Sequence, residues 1–275
     1  MKNADHATVE GFGQEWARFD QSTLSEVDAR RVFEEYFSLF PWAALPAGAV
    51  GFDLGCGSGR WARLAAPRVG LLHCIDASDE ALGVARRNLA SLTNVQFHHA
   101  SVDQLPLADG SMDFGYSLGV LHHVPDTQAG IDACVAKLKS GAPFLVYLYY
   151  AFDNRPPWFR ALWKATDVAR RVISRLPHRQ KNLVSDAIAL GVYLPLARTA
   201  AGLARVGVDV SSFPLSAYRD RSFYVMRTDA LDRFGTQLEQ RFTAEQVRQM
   251  MTRAGLRDVV VADTGPFWTS VGVKA

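Results

Sequence analysis

Glycines at alternate positions are the feature of this sequence that most directly predicts chemistry. Gly55, Gly57 and Gly59 follow an apolar run that includes Asp53, and a stretch with helical apolar spacing comes after them. Glycine lets the backbone turn tightly and approach a ligand where a Cβ would collide. The N-terminus of the following helix offers unpaired N–H groups to polar ligand atoms. A strand, a glycine turn and a helix start therefore predict a site for a nucleotide-type ligand.

An acidic residue at the end of the next apolar run narrows the class of ligand that the site can bind. Residues 71–75 form this run and Asp76 ends it, at a place where a carboxylate can accept hydrogen bonds from a ribose diol. The glycine spacing is G-x-G-x-G, whereas dinucleotide enzymes use G-x-G-x-x-G to approach a pyrophosphate. The sequence thus favours an adenosine cofactor without a pyrophosphate, and a nicotinamide-dependent oxidoreductase is the weaker alternative.

Five short motifs follow one another in order between residues 46 and 150. They are DLGCGSG at 53–59, IDAS at 75–78, LPLADGSMD at 105–113, VLHHVPD at 120–126 and LKSGA at 138–142. Together they resemble the class I S-adenosylmethionine (SAM) dependent methyltransferases, in particular the ubiquinone- and menaquinone-biosynthesis-type and small-molecule enzymes. The resemblance implies an α/β fold with a Rossmann-like, seven-stranded, mainly parallel sheet and helices on both faces. It also implies SAM as cofactor and S-adenosylhomocysteine as product.

The resemblance assigns roles to particular residues. The turn at Gly55 and Gly57 is expected to contact the methionine part of SAM, Asp53 to hold its amino group, and Asp76 to accept from the ribose diol. The complete expected cofactor set is Asp53, Gly55, Cys56, Gly57, Asp76, Ala77, Ser101, Val102, Ser117 and His122. Where the family places an Asp near the adenine amino group, this chain has Ser101-Val102. The adenine contact is then a hydroxyl bond, a backbone N–H, or Asp103.

Methyl transfer requires few catalytic groups from the protein, because the methyl group of SAM is already electrophilic. The enzyme must align the acceptor and exclude water, and a base helps when the acceptor is a hydroxyl. The candidate catalytic residues are His123 and His122, which follow the fourth predicted strand, and Tyr149, which ends the fifth. Strand alternation sends Tyr149 and Tyr147 to one face. A structural hydrogen-bonding role for both histidines stays open.

Alternating apolar runs and helical stretches predict the elements that position these residues. The predicted strands are 50–54, 71–76, 95–99, 112–117 and 144–149, followed by a capped helix from Thr243 and an antiparallel hairpin of 256–262 and 267–273. The predicted domains are an N-terminal helical cap or lid (1–45), the SAM-binding core (46–150), a mostly helical substrate-binding insertion after the fifth strand (151–240) and a segment completing the core (241–275).

Aromatic residues mark the N-terminal region. Trp16 and Phe19 either form a lid over the cofactor or pack on the sheet edge. A helix is predicted over 26–39, ended by Pro41. The apolar positions along this segment are Val27, Phe33, Phe37 and Phe40.

The insertion is strongly basic. Residues 151–221 carry 12 cations and 5 carboxylates, whereas the first 45 residues carry 4 cations and 8 carboxylates. This asymmetry indicates an internal electrostatic match or an acidic partner. Within 155–181, apolar and basic residues alternate at helical spacing. Such a helix either contacts an anionic membrane or acidic ligand, or is a lid that packs its apolar face on the core and turns its arginines to water.

Two polar clusters of the insertion, 218–224 and 229–236, either bind substrate or fasten the insertion to the core. Cys56, Cys74 and Cys134 show no metal or pairing pattern, so no metal site and a reducing, cytoplasmic setting are expected. Neither a signal peptide nor a membrane-spanning helix is predicted, because the longest uncharged stretch of the most apolar region runs only from 187 to 197.

The sequence therefore predicts O- or N-methylation of a small-molecule acceptor such as a natural product, sugar, quinone or lipid. Nucleic acid is not favoured, because Ser117-Leu118-Gly119-Val120 stands where amino-methylating nucleic-acid enzymes carry N-P-P-[YF]. The alternative is a SAM-binding scaffold without catalysis. The oligomeric state is left open.

Overall fold

The computed structural model describes residues 3–21 and 25–275, and the chain divides into two units. Met1–Ala151 and Leu238–Ala275 form the first, called the core unit. Phe152–Gln237 form the second, called the inserted unit.

A seven-stranded sheet organises the core unit, in the order β3-β2-β1-β4-β5-β7-β6. Its strands are β1 Val50–Leu54, β2 Leu71–Asp76, β3 Val95–His99, β4 Phe114–Leu118, β5 Pro143–Tyr147, β6 Leu256–Val261 and β7 Thr269–Lys274. Strands β1 to β5 pair in parallel, and β7 is antiparallel to both β5 and β6. The strand order reverses between β1 and β4, which is where open α/β sheets bind ligands. The predicted Rossmann-like fold is confirmed.

The ends of β4 to β7 differ from the predicted bounds by one or two residues. Strand β4 begins at Phe114, and Met112 before it forms only an isolated bridge with Leu138. Strand β5 ends at Tyr147, because this residue pairs with Leu118, the last residue of β4. Beyond that pair β5 has no parallel neighbour, so Tyr149 lies outside the strand.

Two hydrophobic layers cover the sheet, and glycines make room for phenylalanines between its central strands. Gly51 of β1 pairs with Phe114 of β4, and Phe52 pairs with Gly115. A Cβ on Gly51 would lie 2.3 Å from the Phe114 ring, and one on Gly115 would lie 2.3 Å from the Phe52 ring. Phe52 and Phe114 belong to opposite layers. Gly51 therefore leaves space for the Phe114 ring in one hydrophobic layer, and Gly115 leaves space for the Phe52 ring in the other.

The helices of the core unit are α1 His6–Arg18, α2 Glu26–Tyr36, α3 Ala62–Ala65, α4 Asp79–Asn88, α5 Thr127–Lys137 and, as α10, Ala244–Arg253. The predicted capped start at Thr243 is confirmed as a capping box with Gln246. Helix α2 ends before the predicted residue 39. Phe33, Phe37 and Phe40 are buried, but Val27 is 76% exposed, because it lies about 120° around the helix from Phe33.

Helices build the inserted unit, as predicted: α6 Pro157–Ile173, α7 His178–Ile188, α8 Leu194–Arg205 and α9 Phe223–Gly235. A π-helical turn, Ala189–Tyr193, joins α7 to α8 without a break. The unit's own core contains Ala189, Tyr193, Ala197, Met226, Ala230 and Phe234. Of the two alternatives for α6, an apolar face packed inward with arginines in water is met only in part, because Phe159 and Trp163 are half-buried and Arg160 and Arg171 are exposed. Trp158 and Leu162 are exposed, whereas Arg170 is buried beside Asp167.

One continuous helix among the described residues, His178–Arg205, is long and apolar enough to cross a membrane by length and composition. Only 22% of its most apolar window is buried. The sequence prediction rested on an uncharged stretch that ends at residue 197. Because α7 and α8 are continuous, the helix is longer than that stretch.

Candidate active site

Asp53, near the end of β1, is a buried carboxyl with no hydrogen-bond partner at either oxygen among the described residues. Burial raises the pKa of Asp53 to about 8, and nearby Asp76 adds to that effect. The Tyr116 hydroxyl lowers this pKa but falls short of hydrogen-bond geometry. A buried polar group without a partner is rare in proteins. An ammonium group placed there would satisfy the carboxylate.

Asp76, at the end of β2, is held by the backbone. Its two carboxylate oxygens accept hydrogen bonds from the N–H of Gly57 at 2.8 Å and of Ser78 at 2.9 Å. Burial raises the pKa of Asp76, although these N–H groups oppose the shift. Each oxygen can accept more than one hydrogen bond. The fixed carboxylate is therefore suited to a diol.

The glycine turn is enclosed on two sides. Gly55 and Gly57 have positive φ angles of 74° and 53°. A Cβ on Gly55 would lie 2.2 Å from Val120, which follows β4, and one on Gly57 would lie 2.8 Å from Nε1 of Trp16. Helix α1 thus places Trp16 on the turn itself. This contact favours the predicted cap over packing on the sheet edge.

Two of the predicted cofactor residues direct their side chains into the protein. The Ser117 hydroxyl donates to the Leu54 carbonyl at 3.1 Å, and both residues are buried. The Cys56 thiol is hydrogen-bonded to Cys74, and this bond together with burial raises the pKa of Cys56. Cys56 and Ser117 therefore have only backbone atoms to offer a cofactor.

The remaining predicted cofactor residues surround the ends of β2 and β3. The Ala77 carbonyl lies 2.9 Å from Nε2 of His99. The Ser101 hydroxyl donates to the carboxylate of Asp103. Val102 is buried in the hydrophobic layer. The hydroxyl and the carboxylate proposed for the adenine contact are thus neighbours rather than exclusive alternatives.

The two histidines have different surroundings. His122 is fully buried, and neither ring nitrogen has a hydrogen-bond partner among the described residues. Burial, followed by His123 and Arg241, lowers the pKa of His122 well below its usual range. Nδ1 of His123 lies 2.7 Å from the Leu238 carbonyl. A carbonyl only accepts, so this contact assigns the proton to Nδ1 and leaves a lone pair on Nε2.

Tyr149 lies between His122 and a residue that the sequence analysis did not single out. Its ring stacks on His122 with centroids 3.8 Å apart, and the guanidinium carbon of Arg241 lies 4.9 Å from its ring centroid. Arg241 also donates to Glu239 at 2.8 Å, and only 1% of the Glu239 side chain is exposed. No motif marks these positions, because the long insertion separates them from the rest of the site.

Tyr36 is a second residue that the sequence analysis missed. It projects from α2, and its ring lies 4.9 Å from both Tyr147 and Trp61. Tyr147 in turn lies 5.9 Å from Tyr149 and 6.3 Å from His122. An aromatic wall, defined as Tyr36, Tyr147, Tyr149 and His122, therefore stands at the carboxyl ends of β4 and β5. The only sequence signal for Tyr36 was the aromatic content of its helix, which also fits core packing.

Known proteins share this sequence and fold. Residues 52–146 match the family described as "Methyltransferase domain". A ubiquinone biosynthesis O-methyltransferase of Xanthomonas axonopodis pv. citri is 31% identical over 189 residues, which cover 67% of this chain and 74% of the relative. The chain belongs to the class I SAM-dependent methyltransferases.

Further relatives agree with that assignment. A ubiquinone biosynthesis O-methyltransferase of Aromatoleum aromaticum is 29% identical over 185 residues, 64% of this methyltransferase and 73% of the relative. The solved structure of a SAM-dependent methyltransferase from Aquifex aeolicus matches with a TM-score of 0.51. It is 14% identical, and the match covers 95% of this chain and 97% of that one. This structural likeness supports the fold.

SAM is the cofactor of this methyltransferase, and the residues of its core unit fit that group. Asp53 would hold the methionine ammonium, Asp76 the ribose diol, and the turn at Gly55 and Gly57 would leave room for backbone contact. The buried oxygens of Asp53, which have no hydrogen-bond partner among the described residues, carry this fit. No group of three or more His, Cys, Asp or Glu residues in the described ranges could hold a metal ion.

The two polar clusters of the insertion make contacts within the inserted unit. Arg233 lies 3.8 Å from the Asp167 carboxylate and stacks on Trp163 at 5.2 Å. Tyr218 packs against Tyr193 with ring centroids 5.3 Å apart. These side chains help to hold the helices of that unit together.

Proposed function

We propose that this methyltransferase transfers the methyl group of SAM to a hydroxyl oxygen of a small aromatic acceptor, and that His123 removes the hydroxyl proton. The observation that carries the proposal is the hydrogen bond from Nδ1 of His123 to the Leu238 carbonyl, at 2.7 Å. It fixes the tautomer in which Nε2 is a base. The relatives named as O-methyltransferases support oxygen as the methylated atom.

The aromatic wall supports an aromatic acceptor. Tyr36, Tyr147 and Tyr149 offer ring faces and edges against which a flat acceptor can pack in offset or edge-to-face geometry. His122, held neutral by burial, adds a ring without adding charge. An uncharged aromatic surface favours a phenol or quinol over a strongly charged acceptor.

Each residue then has one task. The wall orients the acceptor ring, His123 accepts the hydroxyl proton, and Trp16 on the glycine turn limits the access of water. When bound, SAM supplies the electrophilic methyl group. Proper alignment and proton removal are the protein's contribution to the rate.

The test measures formation of S-adenosylhomocysteine with a panel of catechols and the matched anilines. We expect turnover with the catechols alone. His123→Gln should lower kcat by about 10²- to 10⁴-fold while SAM affinity stays unchanged, because a positioned base contributes that much. His73→Gln is the matched control, since His73 pairs with His98 on β2 and β3.

Two results would contradict the proposal. Turnover of anilines but not catechols would exclude a hydroxyl acceptor. Equal kcat values at saturating SAM for His123→Gln and the parent enzyme would remove His123 from the role of base.

A further inference from the structure

An apolar stripe on α6 faces away from the inserted unit. Trp158, Leu162, Val168 and Val172 are 51%, 46%, 64% and 63% exposed. At about 100° per residue these positions fall within about 120° of one another around the helix axis. The four side chains therefore form one continuous exposed stripe, which we call the α6 stripe.

The buried side of α6 holds the stripe outward. Asp167 accepts from Arg170 at 2.7 Å and from Arg171 at 3.0 Å. Arg170 is only 6% exposed, and it also donates to the carbonyls of Thr236 and Gln237. Turning the stripe inward would break this network and leave a buried charge unpaired, which is strongly unfavourable. The contacts of Asp167 and Arg170 therefore fix the outward orientation of the α6 stripe.

Basic residues line one side of the α6 stripe. Lys164 and Arg171 fall within about 20° of one another on the helical wheel, next to the stripe, and the exposed Arg175 follows the end of α6. Residues 151–221 as a whole carry 12 cations and 5 carboxylates. An exposed apolar stripe with Trp at one end and cations along its edge is the pattern of a helix that lies in the interface of an anionic membrane.

The long helix His178–Arg205 is held on the inserted unit along one side, which does not fit a helix that crosses a membrane. Leu183 and Leu190 on it are 71% and 59% exposed. Asp186 within the helix is paired with Arg227 of α9 at 3.0 Å, and Tyr193 packs into the unit's own core. A crossing helix would carry this ion pair into hydrocarbon, at high cost. One side of the helix His178–Arg205 packs on the inserted unit, and its other side is exposed and can contact lipid.

From these contacts we infer that the inserted unit docks on the surface of an anionic phospholipid bilayer through the α6 stripe. Apolar side chains of the stripe enter the headgroup boundary, and Lys164, Arg171 and Arg175 meet the lipid phosphates. The inference stands apart from the acceptor proposed above, because it rests on the inserted unit alone.

Sedimentation of the full chain with vesicles tests the inference. We expect pelleting at low salt with vesicles of phosphatidylcholine and phosphatidylglycerol, and little with phosphatidylcholine alone. Trp158→Ser with Leu162→Ser should weaken vesicle binding by about tenfold or more, because the stripe loses its largest apolar groups. Lys164→Gln with Arg175→Gln should weaken binding to the anionic vesicles. Val260→Ser is the matched control, because Val260 is 49% exposed on β6 of the core unit.

Calorimetric binding of S-adenosylhomocysteine checks that each variant folds, independently of vesicles. The inference is overturned if the native chain does not pellet with anionic vesicles, or if the Trp158→Ser, Leu162→Ser variant pellets as well as the native chain. It is also overturned if analytical ultracentrifugation shows a dimer that this variant dissociates while vesicle binding is absent. That outcome would assign the stripe to a second copy of the chain.

Discussion

Proton release on cofactor binding is the sharpest consequence of the buried carboxyl at Asp53. Its pKa of about 8 means that about nine-tenths of the unliganded enzyme carries a proton there at pH 7. The methionine ammonium of SAM favours the ionised form and should lower this pKa below about 5. Binding at pH 7 is therefore expected to release about 0.9 proton.

The protonation of Asp53 also determines how the affinity for SAM changes with pH. Because the protonated acid is the poorer partner for an ammonium, binding strengthens as pH rises and levels off as it approaches 8. Between pH 5.5 and 7.5 the Kd should fall by about 70-fold, equivalent to about 2.5 kcal/mol. In the unliganded enzyme the raised pKa also means that folding stability is greatest below about pH 4 and is lost as pH rises through about 8, as far as Asp53 is concerned.

Isothermal titration in two buffers of different ionisation enthalpy measures the released protons directly. Asp53→Asn keeps the shape of the side chain but cannot titrate, so its proton release and pH slope should vanish. Asp76→Asn is the comparison: because the charge of Asp76 helps to raise the pKa of Asp53, this variant should shift the pH dependence to lower pH but still release a proton. The reasoning is refuted if Asp53→Asn keeps the native slope, or if the native enzyme releases no proton near pH 7.

Other perturbations test the ribose contact, the turn and the inserted unit. Asp76→Ala should weaken SAM binding by about tenfold or more, since a desolvated diol loses its acceptor; calorimetry showing unchanged affinity would exclude that contact. Gly55→Ala puts a Cβ 2.2 Å from Val120 at a φ of 74°. We expect urea unfolding to show a loss of about 1–3 kcal/mol, partly recovered by Val120→Ala, and no recovery would argue against the clash. Asp167→Asn leaves Arg170 buried without its carboxylate and should cost about 3 kcal/mol in thermal or urea unfolding. Burial, the largest single influence, would raise the pKa of Asp167, but the bond from Arg170 and the charges of Arg170, Arg233 and Arg171 together outweigh it and lower the pKa. The pair's stability is thus present above about pH 4 and lost at lower pH, a loss that should be absent in the variant.

Short-range sequence patterns were reliable where one element determines its own structure. Strands β1, β2 and β3 have the predicted bounds, because each is an apolar run ended by turn or polar residues. The capping box at Thr243 was readable because its partner lies three residues away. The end of β5 could not be predicted from its own sequence, because it depends on where the neighbouring strand β4 ends.

The direction of an apolar helix face depends on what lies across from it. Helical spacing in α6 identified an amphipathic segment, but it left open whether the apolar face packs inward or contacts a membrane or ligand. Burial of Asp167 and Arg170, through contacts with residues 233–237 that are far away in sequence, decided that Trp158 and Leu162 face outward. In the same way Arg241 reaches Tyr149 across an insertion of many residues, so no local pattern could indicate it.

The sequence by itself determined the fold class and the cofactor, because the five short motifs that carry the family resemblance consist of neighbouring residues and can be read without the fold. Tertiary structure alone decided that both oxygens of Asp53 are buried without a partner, that Nδ1 of His123 carries the proton, and that the α6 stripe faces outward. Burial, protonation and exposure are properties of surroundings, and those surroundings are assembled from residues distant in the chain.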